Sequence, residues 1–305
     1  MGKAKRKGDT FLKKQSEILW RLFRPHTLTA SFIPVLLGTI LAWRSLAIIH
    51  WGLFLAMLVA CVLIQAATNM FNEYYDFKRG LDNEKSVGIA GVLTRDGIKA
   101  ATVLNYAWGC LVIAALLGLY ICLYSSWWLI PIGFLGMIAG YLYSGGPLPI
   151  SYTPFGELFA GGFMGSGIIL ISYFIQTGSV TWQVFLVSVP SLILIGAILT
   201  SNNIRDRLGD EQNGRKTLAV LLGHTKAVYF LAGMFVLAYI WTVMLVLTRI
   251  LPLSSLVVLL SIPYAYRAVS SYRHKSTPRE MMPGMKAVAQ TNTFYGLLLA
   301  IGLLF

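Results

Sequence analysis

Long runs of apolar residues follow one another along almost the whole chain, separated by short polar segments. A helix needs about 20 apolar residues to cross roughly 30 Å of hydrocarbon, and nine runs approach that length. The strands of a membrane β-barrel would instead alternate apolar and polar positions in short segments. The pattern therefore predicts an all-α, polytopic membrane protein. The nine predicted transmembrane helices are 27–45, 51–75, 100–122, 127–144, 155–176, 182–202, 225–248, 251–269 and 288–305.

The composition agrees with this class. Of the 305 residues, 56% are hydrophobic and 12% are charged, whereas a soluble domain is about one quarter charged. No Pro/Ser-rich linker or low-complexity segment divides the chain, so one membrane domain over residues 1–305 is predicted. Cys61, Cys110 and Cys122 lie in apolar runs without paired spacing, so no redox or metal role is expected for them.

The net charge of +13 could indicate a nucleic-acid partner, but in a polytopic chain Lys and Arg mainly report orientation. If the N-terminus is cytoplasmic, nine helices leave only Arg44 and Arg249 of the 25 Lys and Arg residues on the outer side. All 12 Asp and Glu residues then lie on the inner side. We therefore predict a cytoplasmic N-terminus, with residues 1–25 as a basic lead-in rather than a cleaved signal, and no nucleic-acid partner.

Two acidic stretches begin near the ends of the second and the sixth predicted helices and continue beyond them. They are "ATNMFNEYYDFKRGLDNEK", from Ala67 to Lys85, and "SNNIRDRLGDEQNGRKTLAVLLG", from Ser201 to Gly223. Each contains an Asn followed four residues later by an Asp, Asn72 with Asp76 and Asn202 with Asp206. Because parallel repeats often surround a shared site in membrane folds, the second and sixth helices are predicted to be equivalent and to deliver their acids to the cytoplasmic face.

The spacing of the second stretch suits a cation. Asn202, Asp206 and Asp210 lie at i, i+4 and i+8, which places them along one slowly rotating face of a helix. Carboxylates this close repel each other unless a cation lies between them. Oxygen ligands without a nearby His or Cys favour Mg²⁺, which usually completes its shell with water and substrate phosphates. The stretch thus predicts Mg²⁺ and a diphosphate.

Basic residues follow each acidic set, and a cation opposite a guanidinium or ammonium group stabilises a departing phosphate. They are Lys78, Arg79 and Lys85 after the first set and Arg215 and Lys216 after the second. The chain has no Ser-His-Asp set, no paired Cys and no GxxxxGK[ST] loop, which disfavours a covalent nucleophile or nucleotide hydrolysis. The remaining chemistry is the metal-assisted ionisation of an allylic diphosphate. A site that opens into the lipid would admit the long isoprenoid tail of that substrate.

Both acidic stretches resemble a known family. "NMFNEYYDFKRGLD" and "NNIRDRLGDEQNGRKTLAVLLG" are similar to the two Asp-rich motifs of the UbiA superfamily of intramembrane prenyltransferases. "LFRPHTLTASFIPVLLG" and "YSGGPLPISYTPFGELFAG" look like its 1,4-dihydroxy-2-naphthoate polyprenyltransferase branch, which belongs to menaquinone biosynthesis. The resemblance covers the chain from about residue 20 to 305 and implies nine helices around a central cavity that faces the cytoplasm.

The resemblance also implies roles for individual residues. One Mg²⁺ would be held by Asn72, Asp76 and Asp82, and a second by Asn202 or Asn203, Asp206 and Asp210, with the prenyl diphosphate bridging the two ions. The catalytic acids would be Asp76, Asp206 and Asp210, and the diphosphate would be bound by Lys78, Arg79, Arg215 and Lys216. Arg24 and Tyr143 are predicted substrate contacts, although Arg24 could equally anchor the first span.

The chain departs from the superfamily pattern at two positions in the first motif. Glu73 stands where an Asp is usual, and Gly80 stands where many members carry a further Asp. Gly80 is expected to end the helix, so that only a loop could bring Asp82 inward. Some branches of the superfamily carry a Lys in the segment that corresponds to the one between Tyr143 and Thr153, whereas this chain has no basic residue there. This difference disfavours 4-hydroxybenzoate as the acceptor and is compatible with the naphthoate.

The sequence thus leads to one hypothesis and several alternatives. A multi-pass enzyme of the cell membrane would transfer a polyprenyl group to an aromatic acid, 1,4-dihydroxy-2-naphthoate, which loses CO₂ to give demethylmenaquinone without an organic cofactor. Other acceptors remain open, namely 4-hydroxybenzoate, homogentisate or a glycerol phosphate lipid. A cation-coupled transporter would need acids near the bilayer midplane, whereas all 12 acids lie at or beyond the inner end.

Overall fold

The computed structural model describes residues 15–84, 86–88 and 90–305, except for the side chain of His26. Every regular element among these residues is a helix, which confirms the all-α prediction. Nine helical rods can be numbered along the chain, after a helical lead-in over residues 15–23. They are α1 Thr29–Leu46, α2 Trp51–Lys78, α3 Ala100–Tyr124, α4 Leu129–Ser144, α5 Gly156–Thr177, α6 Trp182–Gln212, α7 Leu218–Leu247, α8 Leu253–Ser270 and α9 Pro278–Gly302.

Each rod overlaps one predicted apolar run. Within the described part of the chain, seven rods are long and apolar enough to cross a membrane by length and composition. The other two are α4, which has 16 residues, and α9, whose 25 residues include a polar first part. The predicted count of nine spans and the cytoplasmic N-terminus stay predictions.

Several helices are longer at one end than their apolar runs. The sixth helix continues to Gln212 although its apolar run ends at residue 202, and the ninth begins at Pro278 rather than at 288. An apolar run marks contact with lipid, whereas backbone hydrogen bonds continue a helix through polar residues. The second acidic stretch is therefore helical as far as Gln212. The seventh helix has a kink at Gly223, where φ is 73° and ψ is 165°.

The helix pairs support the predicted repeat. The second helix packs extensively against the third, and the sixth makes a similarly extensive contact with the seventh. The first and fifth helices pack against each other, and α9 contacts both α1 and α6. Close approach of α5 to α6 requires glycine, because a Cβ atom at Gly165 would lie 2.6 Å from the backbone nitrogen of Leu192. Large apolar side chains such as Leu116, Trp128 and Phe134 are exposed, as expected for a lipid-facing surface.

The lead-in and the loop after α2 pack onto the acid-bearing end of α2 and the adjoining start of α3. Their shared apolar cluster contains Leu22 from the lead-in, Phe71 from α2, Val92 from the loop and Val103 from α3, all of them buried. The chain segments that flank the first acidic motif are therefore part of a packed core.

Candidate functional site

The acid-bearing ends of α2 and α6 face each other. Arg215, in the link between α6 and α7, donates from Nη2 to Asp76 Oδ1 at 2.5 Å and from Nη1 to Asp210 Oδ1 at 3.1 Å. One guanidinium thus contacts a carboxylate on each helix. Burial lowers the pKa of Arg215, but Asp76 and Asp210 outweigh it and the pKa lies above its ordinary value, so the group is charged.

Asp206 has a different partner. The buried Arg205 donates from Nε to Asp206 Oδ1 at 2.6 Å and from Nη2 to Asp206 Oδ2. Arg205 Nη1 lies 2.9 Å from Met285 Sδ in α9. A Cβ atom at Gly88 would lie 1.9 Å from Arg205 Nη1, so the loop after α2 packs directly onto this guanidinium. Sequence reasoning missed Arg205, although its position beside the motif Asp was a signal.

The motif asparagines contact the elements between the two helices. The Ser144 hydroxyl, at the end of α4, donates to Asn72 Oδ1. Asn203 Nδ2 donates to Glu157 Oε1 at 2.9 Å. Glu157 is buried at the start of α5, and within the described part of the chain its Oε2 has no hydrogen-bond partner. Asn202 is half-buried. Glu157 was not among the predicted site residues.

Asp82 lies in a loop near the other acids. The second helix ends at Lys78, and Gly80 has a φ of 73°, so the helix breaks at the expected glycine. The backbone N–H of Asp82 donates to the Asp76 carbonyl oxygen at 3.4 Å. Burial, followed by the carboxylates of Asp76 and Glu73, raises the pKa of Asp82 to about 7. Like charges therefore crowd at this point, an arrangement that a cation would relieve.

The remaining predicted phosphate-binding residues differ in how far they are exposed. Arg79 is half-buried and donates to the carbonyl oxygens of Ser144, at 2.7 Å, and Gly146, at 3.2 Å. Lys78 and Lys216 are exposed. Lys85 lies outside the described residues, as do residues 1–14 of the predicted basic lead-in.

Tyr152 connects the basic groups. Its ring lies 5.4 Å from the Arg79 guanidinium carbon and 4.8 Å from that of Arg215, and its carbonyl oxygen accepts the N–H of Lys216 at 2.9 Å. Tyr143 lies within electrostatic range of Asp76, Asp210, Arg215 and Glu157. The predicted site residues after α4 and α6 thus share one polar region with the acid-bearing ends of α2 and α6.

Arg24 is held by Glu73. It has a left-handed backbone, with φ 48° and ψ 65°, and its Nη2 donates to Glu73 Oε2 at 3.1 Å. Glu73 also accepts the backbone N–H groups of Ala90 at 3.0 Å and Val92 at 2.9 Å. The carboxylate that replaces the usual Asp therefore connects α2 to both the lead-in and the loop. Arg24 Nε is buried and has no hydrogen-bond partner in residues 15–84, 86–88 and 90–305.

The donor set fits a hard cation. Asp76 and Asp210 already converge on one positive group, and the neighbouring donors are carboxylate and amide oxygens. In the described ranges, no three His, Cys, Asp or Glu side chains converge as metal ligands. Arg205 pairs with Asp206, and Arg215 pairs with Asp76 and Asp210.

Fold and site together define a polytopic helical membrane protein with acid-bearing helices opposed at one end. The family model described as the UbiA prenyltransferase family matches residues 31–302. The chain therefore belongs to the UbiA prenyltransferase family, and it is a multi-pass membrane enzyme. The resemblance inferred from the two acidic motifs is confirmed.

Similar proteins narrow the class. The 1,4-dihydroxy-2-naphthoate octaprenyltransferase of Bacillus subtilis is 56% identical over 302 residues, covering 98% of this chain and 97% of the relative. The Mycobacterium tuberculosis protein of the same name is 32% identical over 285 residues, covering 92% and 95%. A UbiA homolog from Archaeoglobus fulgidus, solved with DMAPP and Mg²⁺ bound, matches with a TM-score of 0.62 and 16% identity, covering 93% of this chain and 99% of the homolog. This last similarity supports the fold alone.

Proposed function

We propose that the protein transfers a polyprenyl group from an allylic polyprenyl diphosphate to 1,4-dihydroxy-2-naphthoate in a reaction that depends on Mg²⁺. The observation that carries the reaction class is the convergence of Asp76 and Asp210, from opposed helices, on Arg215. The 56% identity to the Bacillus subtilis enzyme supports the acceptor.

In the proposed reaction a bond forms between the acceptor ring and C1 of the prenyl group while the C1–O bond breaks. The electron pair of that bond leaves with the diphosphate, and the acceptor loses its carboxylate as CO₂. The balanced product is the quinol, which is the reduced form of demethylmenaquinone. A bound divalent cation would neutralise diphosphate oxygens and so favour their departure.

The chain's own residues would bind the metal ions and the diphosphate, orient the acceptor and exclude water. Two Mg²⁺ ions would be held by Asn72, Asp76 and Asp82 on one side and by Asn202 or Asn203, Asp206 and Asp210 on the other. Arg215, Lys216, Lys78 and Arg79 would bind the diphosphate as fixed positive charges. Arg24 and Tyr143 would orient the acidic acceptor, and the packed helices would keep water from the developing allylic cation.

The proposed topology follows the charge distribution. The N-terminus and the site would face the cytoplasm, the nine spans would cross the plasma membrane, and residues 1–305 would form one domain. The polyprenyl tail would remain in the bilayer.

The test is product mass spectrometry with purified protein, Mg²⁺, donors of mixed chain length and a panel of acceptors. We expect a prenylated product of 1,4-dihydroxy-2-naphthoate that has lost CO₂, together with released diphosphate. Preference for 4-hydroxybenzoate, homogentisate or a glycerol phosphate lipid would overturn the acceptor assignment. Absence of metal-dependent diphosphate release with every acceptor would overturn the reaction itself.

A further inference from the structure

Arg215 occupies the position between the two acidic helices where a bound cation is expected. Its two Nη atoms donate to Asp76 and Asp210, as described above. The three side chains are largely shielded, with 13% of Arg215, 18% of Asp76 and 7% of Asp210 exposed. A shielded charge that loses its partner is costly. Each carboxylate therefore needs either this guanidinium or another positive group.

The backbone around Arg215 is fixed at both neighbouring peptide units. The N–H of Arg215 donates to the Asp210 carbonyl oxygen at 2.9 Å, and the N–H of Lys216 donates to the Tyr152 carbonyl oxygen at 2.9 Å. A change of partner at Arg215 would therefore be a rotation of its side chain, with the backbone in place.

The guanidinium has unused capacity for an anion. A guanidinium carries five N–H donors, and the buried Nε of Arg215 has no hydrogen-bond partner among the residues that the structure describes. One face of the group lies against the ring of Tyr152. A planar, multiply donating group of this kind suits the oxygen atoms of a phosphate.

A divalent cation and this guanidinium compete for the same carboxylate oxygens. A cation placed between Asp76 and Asp210 would face the positive charge of Arg215, which like-charge repulsion disfavours. A diphosphate changes the balance because it offers Arg215 new acceptors and brings its own negative charge. Arg205 differs, since its one ion pair with the described residues is the pair with Asp206.

From these contacts we propose that Arg215 is an internal counter-ion that keeps a lone divalent cation from the Asp76–Asp210 pair and releases both carboxylates when a diphosphate binds. Metal and diphosphate therefore bind together, each strengthening the other by the same factor. This inference rests on the proposed function, because it assumes that both ligands share the site.

The test measures Mn²⁺ binding to detergent-purified protein by electron paramagnetic resonance, without and with inorganic diphosphate. We expect Arg215→Gln to bind Mn²⁺ alone about tenfold more tightly than the wild type, a difference within the range of ordinary coupling energies. Diphosphate should tighten Mn²⁺ binding strongly in the wild type and much less in the variant.

Two further variants make the result specific. Arg207→Gln removes the same charge from the same region but only breaks the pair with Glu211 on the surface of α6, and it should leave Mn²⁺ binding unchanged. Arg215→Lys keeps the charge on one ammonium group, and its Mn²⁺ affinity should lie between those of the wild type and Arg215→Gln. It also keeps the test available if Arg215→Gln does not fold.

The outcomes separate the inference from the proposed function. If diphosphate tightens Mn²⁺ binding in the wild type but Arg215→Gln binds Mn²⁺ alone no more tightly, the counter-ion role is wrong and the proposed function stands. An equal gain in Arg207→Gln would also overturn the role, because the effect would be one of net charge. A wild-type protein in which diphosphate has no effect on Mn²⁺ binding would overturn both.

Discussion

The two acid-bearing helices have the same Asn-x-x-x-Asp spacing but hold their acids in different ways. On α2, Asp76 pairs with Arg215 from the other half of the chain, whereas on α6, Asp206 pairs with the adjacent Arg205. The helices also end differently, because Gly80 breaks α2 before Asp82 while α6 continues beyond Asp210. Equivalent motif positions thus have unequal surroundings, and the halves of the site should respond unequally to substitution.

The largest expected effect is the loss of the Asp in each Asn-x-x-x-Asp pair. Asp76→Asn and Asp206→Asn should each abolish turnover, because both carboxylates are proposed to hold the cation that assists diphosphate departure. The measurement is release of labelled diphosphate, with Glu17→Gln, an exposed acid in the lead-in, as the control. Retained turnover in either variant would break the proposed equivalence of the motifs.

The next largest effect is expected from the last Asp of each motif, Asp82 and Asp210. Asp210 is fixed by a helix and by Arg215, whereas Asp82 lies in a loop. Asp210→Asn should lower kcat by about 100-fold or more, and Asp82→Asn by about tenfold, since a carboxylate held by a helix and an ion pair is better preorganised than one held by a loop. The Mg²⁺ concentration for half-maximal rate should rise in both. Equal losses would show that the loop holds Asp82 as firmly as the helix holds Asp210.

A smaller effect is expected from the loop contacts of α2. Glu73→Gln should lower kcat/KM by about tenfold, because an amide cannot replace the carboxylate that binds Arg24 and two backbone N–H groups. Hydrogen exchange of the Ala90 and Val92 amides should become faster. Asp96→Asn, which breaks only the exposed pair with Arg21, should leave both measurements nearly unchanged. Slow exchange in Glu73→Gln would argue against this role.

The smallest effect tests the contact between the loop after α2 and Arg205. Gly88→Ala should reduce turnover severalfold by displacing Arg205 from Asp206, since the added Cβ would lie 1.9 Å from Arg205 Nη1. Gly97→Ala is the matched control, because Gly97 also has a positive φ of 64° but has nothing within 4 Å of an added Cβ. Any strain from the positive φ should be similar in both. Equal losses in the two variants would mean that backbone strain alone accounts for the effect.

The sequence predicted the helices well where lipid contact and helix coincide. At their polar ends it predicted the helices less well, because α6 extends to Gln212 and α9 begins at Pro278, through residues that an apolar window omits. The break at Gly80 was predicted because a glycine's backbone freedom is local information.

The site was only partly accessible from sequence. Spacing on a helix places Asp206 and Asp210 near one face, but it does not reveal which group neutralises them. Glu157 and Tyr152 contact motif residues or basic groups through packing between elements that are distant in the chain. Arg205, although adjacent to Asp206, also contacts Met285 of α9. Their positions depend on tertiary contacts, such as the approach of Gly88 to Arg205, for which the sequence has no periodic signal.

The polar extension of α6 has a consequence for how substrates reach the enzyme. Its ten or so residues beyond the apolar run correspond to about 15 Å of helix, long enough to extend through the headgroup region, which adds about 5 to 8 Å on each side of the hydrocarbon core. On the proposed topology, the carboxylates would stand at the phase boundary of the bilayer. A donor could then straddle that boundary, with its hydrocarbon dissolved in the membrane, while a water-soluble acceptor would never have to cross it.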